Sequence, residues 1–178
     1  LNYKGFTDSG EQFLIRNIIP YLLNQKKIFV FDIGANTGKY TETIVQNIAN
    51  TEVYSFEPNP SAFEQIKATN NRVKPFNIGL SDVTHSTILF IDSENTLSSQ
   101  ASAYKLGAWG KTHPVEIPVN FIRAEEFIET NSIPVPDFTK IDVEGHELNV
   151  LTGARNFLQN NSCLIQIEIY PSKKVEVT

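Results

Sequence analysis

The stretch Ile28-Phe29-Val30-Phe31-Asp32-Ile33-Gly34-Ala35-Asn36-Thr37-Gly38 decides the fold. Its first six residues are too continuously apolar for a sheet face open to water, so they read as a strand buried on both faces. The strand runs into a glycine-bearing turn, and Tyr40, Ile44, Val45 and Ile48 mark the helix that follows. The same unit then recurs. Glu52 to Glu57 reads as a second strand, and Asn59-Pro60-Ser61 opens a helix carrying Ala62, Phe63 and Ile66 with proline in its first turn. Val73 to Leu80 reads as a third strand. Further on, Phe138 to Val143 is another buried strand, Glu147 to Gln159 a helix, and Cys163 to Ile169 the last strand. This alternation predicts an α/β domain built on a doubly wound, mostly parallel sheet with helices on both faces.

Two segments stand outside that rhythm. Residues 1–27 read as an N-terminal helical segment, with Phe13, Leu14, Ile18, Tyr21 and Leu22 at helical spacing between Glu11 and Asn24. Asp8 and Ser9 are its cap residues, and Pro20 predicts a kink or break. Residues 86–122 read as an inserted β-hairpin, whose strands Ser86–Asp92 and Val115–Ile122 flank a serine- and glycine-rich stretch, Ser93 to Pro114. Ala124 to Thr130 is a short helix after it.

Composition narrows the function. The 178 residues are sized for one domain, taken as 1–178. With 40% hydrophobic and 20% charged residues, the chain can bury a core without metal or disulfide. One cysteine excludes an intrachain disulfide and a cysteine-built zinc site. A net charge of −5 argues against nucleic acid as a partner, which needs a basic face. No apolar run is long enough to span a bilayer and no signal peptide is visible, so no membrane partner and a cytoplasmic location are expected. The chain lacks methionine even at position 1, so it reads as a fragment, a processed chain or the ordered part of something longer.

In such a sheet, ligands bind beyond the carboxyl ends of the strands, where strand order reverses. Four strand ends carry polar residues. The first, Asp32 to Gly38, spaces its residues as D-x-G-x-x-x-G and not as the dinucleotide-binding G-x-G-x-x-G. A turn headed by a carboxylate repels a pyrophosphate and welcomes an ammonium or sulfonium; the plainer alternative is a strand-to-helix turn with Asp32 as a cap. The second is Glu57, about twenty residues past Gly38, where a carboxylate can accept both hydroxyls of a ribose. The third is Gly79-Leu80-Ser81-Asp82, where Asp82 could bond an adenine edge, or which could be a plain loop. The fourth is Lys140-Ile141-Asp142-Val143-Glu144-Gly145-His146-Glu147, whose alternation puts Lys140, Asp142 and Glu144 on one side of a buried strand. Burying that many ionisable groups without a task is costly; a structural Lys–Asp pair plus a helix cap is the alternative.

Taken together, these runs, with Phe56-Glu57-Pro58-Asn59-Pro60 and Leu151-Thr152-Gly153-Ala154, resemble the FkbM family of S-adenosylmethionine-dependent methyltransferases. The resemblance implies the class I, Rossmann-like methyltransferase fold, S-adenosyl-L-methionine as cofactor, and methyl transfer to a hydroxyl oxygen of a sugar, glycan or secondary-metabolite acceptor. It also implies a homodimer. Asp32, Gly34, Asn36 and Gly38 would hold the methionine and sulfonium region, Glu57 the ribose, and Ser81 and Asp82 the adenine. Asp142 would close the methionine end. Asp142, Glu144 and His146 are the candidate bases for the acceptor proton; Glu144 is preferred, with Lys140 tuning it. No metal is expected, a site made by Asp142, Glu144 and His146 being the lesser variant. The antiparallel strands that usually follow the fifth strand of this fold are not evident after Ile169. Tyr104 and Trp109, in the insert, would stack on the acceptor as a lid, or belong to a mobile hairpin connection. The rival functions are an NAD-dependent Rossmann oxidoreductase, which lacks its glycine motif here, and a non-catalytic cofactor-binding scaffold.

Overall fold

The computed structural model describes residues 10–23, 27–66, 71–92 and 114–168. Helix α1 (Gly10–Phe13) passes through a wide π turn, Leu14–Ile18, into α2 (Ile19–Leu23), with the N–H of Ile19 reaching the carbonyl of Leu14. The break expected at Pro20 is absent. Proline has no N–H to close an ordinary helical turn, and the widened turn ahead of it carries the helix on.

From there the chain alternates as the sequence predicts. Strand β1 (Ile28–Ile33) leads through α3 (Lys39–Asn47) to β2 (Thr51–Phe56), and α4 (Pro60–Phe63) precedes β3 (Val73–Phe76). Asn59 caps α4, its side chain accepting the N–H of Ser61, with Pro60 in the first turn. Then come β4 (Gly79–Ser81), β5 (His85–Asp92), β6 (Pro114–Arg123) and α5 (Ala124–Asn131). Strand β7 (Phe138–Ile141), helices α6 (Glu147–Gly153) and α7 (Arg155–Asn160), and β8 (Leu164–Ile167) complete the described chain.

The main sheet has the order β3-β2-β1-β7-β8, all its pairs parallel, so strand order reverses between β1 and β7. This is the doubly wound arrangement. The insert is the expected hairpin, β5 pairing antiparallel with β6 from His85↔Phe121 to Asp92↔Pro114. Beside it β4 runs parallel to β6, making a second sheet of order β4-β6-β5.

Three expectations are corrected. The single strand Val73–Leu80 is two, in different sheets. Asn77 turns the chain out of the main sheet by donating its side-chain amide back to the carbonyls of Glu57 at 2.8 Å and Pro58 at 3.1 Å. The single helix Glu147–Gln159 is also two, broken at Ala154. Gly153 packs so closely on the carbonyl of Ser81 that a β-carbon would collide with it, which pulls the end of α6 onto β4. Strand β7 stops at Ile141, short of the predicted Val143, and Glu144 takes a left-handed backbone (φ 53). Alternation therefore does not extend from Lys140 to Glu144. The caps Asp8 and Ser9, the residues Tyr104 and Trp109 of the expected lid, and Ile169 lie outside the described residues. No described helix is long and apolar enough to cross a membrane.

Burial on both faces of β1 explains its apolar run. Ile28 and Val30 point into a core shared with Ile15, Ile19, Tyr40 and Ile44 of the helices on one side. Phe31 and Ile33 point into the opposite core with Phe56, Leu80, Phe127 and Val150. There Phe56 and Phe76 each meet Phe127 edge-on at 4.9 Å, an arrangement that favours the ring quadrupoles as well as burying area.

Candidate active site

A cleft of about 770 Å³, counting the part open to solvent, lies at the carboxyl ends of β1, β2 and β7. That is the place expected of a small-molecule site in an open α/β sheet. Its floor is the turn after β1. Gly34 has φ +80, and a β-carbon there would run into the carbonyl oxygen of Asp142, so only glycine lets this turn lie against the end of β7. Asn36 also turns left-handed (φ 50), and its side-chain oxygen is buried at the cleft wall without a hydrogen-bond partner.

Beneath the turn runs a polar rung across the sheet. Parallel register puts Ser55, Asp32, Lys140 and Gln166 side by side on β2, β1, β7 and β8. Helix α3 covers them. Thr41 donates to Oδ2 of Asp32 at 2.6 Å and shares a 2.6 Å hydrogen bond with Ser55, while Tyr40 donates to Gln166 at 2.5 Å. The ammonium of Lys140 lies 2.9 Å from Oδ2 of Asp142, 4.0 Å from Oδ1 of Asp32 and 5.0 Å from the centre of the Tyr40 ring. Burial pushes the Asp32 carboxyl up, against the pull of Lys140 and Thr41. For Lys140 burial acts downward, yet Asp32 and Asp142 outweigh it and hold the ammonium above its ordinary range.

Glu57 ends β2 with its carboxylate turned into the cleft and 7% of the residue exposed. Its two oxygens accept the backbone N–H groups of Asn36 and Asn59, each at 2.8 Å. Burial pushes its pKa up to about 7 despite those hydrogen bonds. A carboxylate has roughly four lone-pair sites, so further donors can still be accepted.

On the far wall, Gly79 and Leu80 line the cleft. Ser81 and Asp82 do not: Ser81 is fully buried, bonded at 2.9 Å to both Asp82 and Nε2 of His146. His146 lines the cleft with Asp142 and Glu144, and is stacked at a tilt on Phe121 at 5.2 Å.

The structure thus gathers Gly34, Asn36, Glu57, Asp142, Glu144 and His146 around one cleft and sets Asp32, Lys140 and Ser81 behind its walls. Lys140 is engaged with Asp32 and Asp142. Among the described residues, no three His, Cys, Asp or Glu side chains are grouped to hold a metal. Sequence reasoning missed Thr41, Ser55 and Gln166. For Ser55 and Gln166 the signal was a polar residue at matching register in otherwise apolar strands, visible only once the strands are paired, whereas Thr41 lies on α3 and is found only from the packing of that helix. Asn149, which donates to Asp82 at 3.1 Å, was missed as well.

Known proteins bear on this site. The family model described as "Methyltransferase FkbM domain" matches residues 32–177. The hexuronic acid methyltransferase AglP of Haloferax volcanii is 31% identical over 165 residues, covering 90% of this chain and 63% of that protein. Methyltransferase 1 of Beauveria bassiana is 22% identical over 143 residues, covering 70% of this chain and 57% of its own length. The chain thus spans about 60% of the length of these relatives. Among solved structures, the plantazolicin methyltransferase BpumL, in complex with a triazolic desmethylPZN analog and SAH, aligns with a TM-score of 0.44 at 13% identity. That alignment covers 89% of this chain and 44% of BpumL.

Proposed function

Because the chain belongs to the FkbM methyltransferase family, we propose that its cleft binds S-adenosylmethionine and transfers the methyl group to a hydroxyl oxygen of a sugar or other small-molecule acceptor. The observation that carries this reading is Glu57, a buried carboxylate at the end of β2, pinned by two backbone amides and open to the cleft. A vicinal diol is the ligand group that donates two hydrogen bonds to such a carboxylate.

The rest of the cleft fits the same donor. Asn36 Oδ1, buried without a partner, can accept from the ammonium of the methionine moiety. Glu57, Asp142 and Glu144 make the walls acidic, which favours a sulfonium and disfavours a pyrophosphate. Gly34 lets the floor lie against the carbonyl of Asp142, and the rung beneath it keeps Asp142 in place through Lys140. Bound there, S-adenosylmethionine supplies an already activated methyl group, so the protein's work is orientation, exclusion of water and removal of the acceptor proton.

The name of the Haloferax relative supports a sugar acceptor. Within this cleft the titratable lining residues are Glu57, Asp142, Glu144 and His146, with no Lys or Arg among the described lining residues. Such walls favour a neutral hydroxyl over a carboxylate as the methylated group.

A thermal-shift series with S-adenosylmethionine, S-adenosylhomocysteine and NAD tests the reading. A ligand at 100 times its Kd stabilises the folded state by about 2.7 kcal/mol. A rise in Tm with both adenosyl compounds and none with NAD is expected. A rise with NAD alone would mean an oxidoreductase site.

A further inference from the structure

The hydroxyl of Ser81 has one proton, and its two neighbours decide where that proton goes. Ser81 Oγ lies 2.9 Å from Oδ1 of Asp82 and 2.9 Å from Nε2 of His146. The same Asp82 oxygen accepts the side-chain amide of Asn149 at 3.1 Å. These hydrogen bonds, Asn149's foremost, hold the Asp82 carboxyl below its ordinary range, so it is ionised at neutral pH and only accepts. Ser81 therefore donates to Asp82 and offers His146 a lone pair. The neutral imidazole must carry its proton on Nε2, which puts its basic lone pair on Nδ1.

We propose that His146 takes the proton of the acceptor hydroxyl, and that Ser81, held by Asp82 and Asn149, is the positioning residue that fixes its tautomer. This rests on the methyltransferase reading above. The acceptor O–H gives its proton to Nδ1 of His146 while the oxygen bonds to the donor's methyl carbon. The methyl–sulfur bond breaks with its electron pair on sulfur, and the imidazolium afterwards releases its proton to water.

Geometry favours His146 over Asp142. Oδ2 of Asp142 is already occupied by the Lys140 ammonium. The titratable groups around His146 are Asp82 after β4, His85 at the start of β5, Glu144 in the turn and Glu147 on its own helix, with β6 contributing the Phe121 ring. Burial, with His85, outweighs Asp82 and Glu147 and keeps the imidazole below the usual histidine range, neutral and able to accept at pH 7.

The test combines nitrogen NMR of the imidazole in the full chain with kinetics on methyl glycosides of neutral hexoses. The wild type is expected to show the Nε2–H tautomer, and Ser81→Ala a mixture of the two. His146→Gln should lower kcat about 100-fold or more while the Kd for S-adenosylmethionine stays within about twofold. Ser81→Ala should lower kcat about tenfold and move the acid limb of its pH profile, leaving the KM for S-adenosylmethionine unchanged, whereas an adenine-binding serine would raise that KM. An Nδ1–H tautomer in the wild type, or near-normal turnover in His146→Gln, overturns the proposal. Absence of S-adenosylmethionine binding by calorimetry defeats the methyltransferase reading instead, and the imidazole spectrum separates the two failures.

Discussion

Asn36 donates its backbone N–H to Oε2 of Glu57 at 2.8 Å, tying the turn after β1 to the end of β2. The bond makes the floor and the wall of the cleft one unit, and it makes the charge on Glu57 matter to both. Burial pushes that carboxyl up to about 7. A diol donates to the carboxylate, not to the acid, so affinity for S-adenosylmethionine should fall by about tenfold between pH 8 and pH 6. Calorimetric titration across that range reads it. The same shift has the opposite sense for folding. The unfolded chain ionises first, from its ordinary 4.5, so this group's contribution to stability declines as the pH rises towards 7. Urea melts of wild type and Glu57→Gln at both ends of that window isolate it.

Lys140 supports two carboxylates at once, one of them fully buried. Lys140→Met should destabilise the fold by about 3–5 kcal/mol, because Asp32 is left as an uncompensated buried charge. Adding Asp32→Asn should recover part of that loss, since the amide keeps an acceptor for Thr41 and carries no charge. Denaturant unfolding of the two single variants and the double variant measures the coupling.

Two glycines with positive φ make a contrast. At Gly34 (φ +80) an added β-carbon meets the carbonyl of Asp142, whereas at Gly145 (φ +103) nothing lies within 4 Å. Gly34→Ala should cost more than about 3 kcal/mol, strain and collision together, and should prevent ligand binding. Gly145→Ala should cost only about 1–2 kcal/mol from backbone strain. Chemical denaturation separates them.

The charge of the cleft walls also sets a preference among acceptors. If a neutral hexose glycoside and the matching uronic acid glycoside are compared, kcat/KM should be at least about tenfold higher for the neutral one, one carboxylate repulsion being worth about 1–2 kcal/mol at a partly solvated site. Quantifying S-adenosylhomocysteine release with each acceptor tests this.

Much of the sheet was legible in the sequence because buried parallel strands leave an unbroken apolar run, as in Ile28 to Ile33, and each ends in a turn rich in glycine, proline or carboxylates. What was not legible depends on side chains that meet across the fold. Asn77 splits the third strand by bonding to carbonyls some twenty residues earlier, and Gly153 breaks the last helix because β4 lies against it. Local propensity contains neither. The site divides the same way. Glu57 and the glycine turn follow from their place at strand ends, whereas the rung Ser55–Asp32–Lys140–Gln166 needs the register of four strands. Ser81 reads as part of a short polar turn that binds adenine or is a plain loop, and only the packing of α6 on β4 buries it beside His146.

The most direct measurement is titration calorimetry of S-adenosylhomocysteine into the wild-type chain and into Glu57→Gln at pH 8. A saturable, one-to-one heat is expected for the wild type, weakened about 10–100-fold in the variant, as the loss of charged hydrogen-bond acceptance requires. No heat with the wild type, or equal affinity in a folded Glu57→Gln, would contradict the assignment of this cleft to the methyl donor.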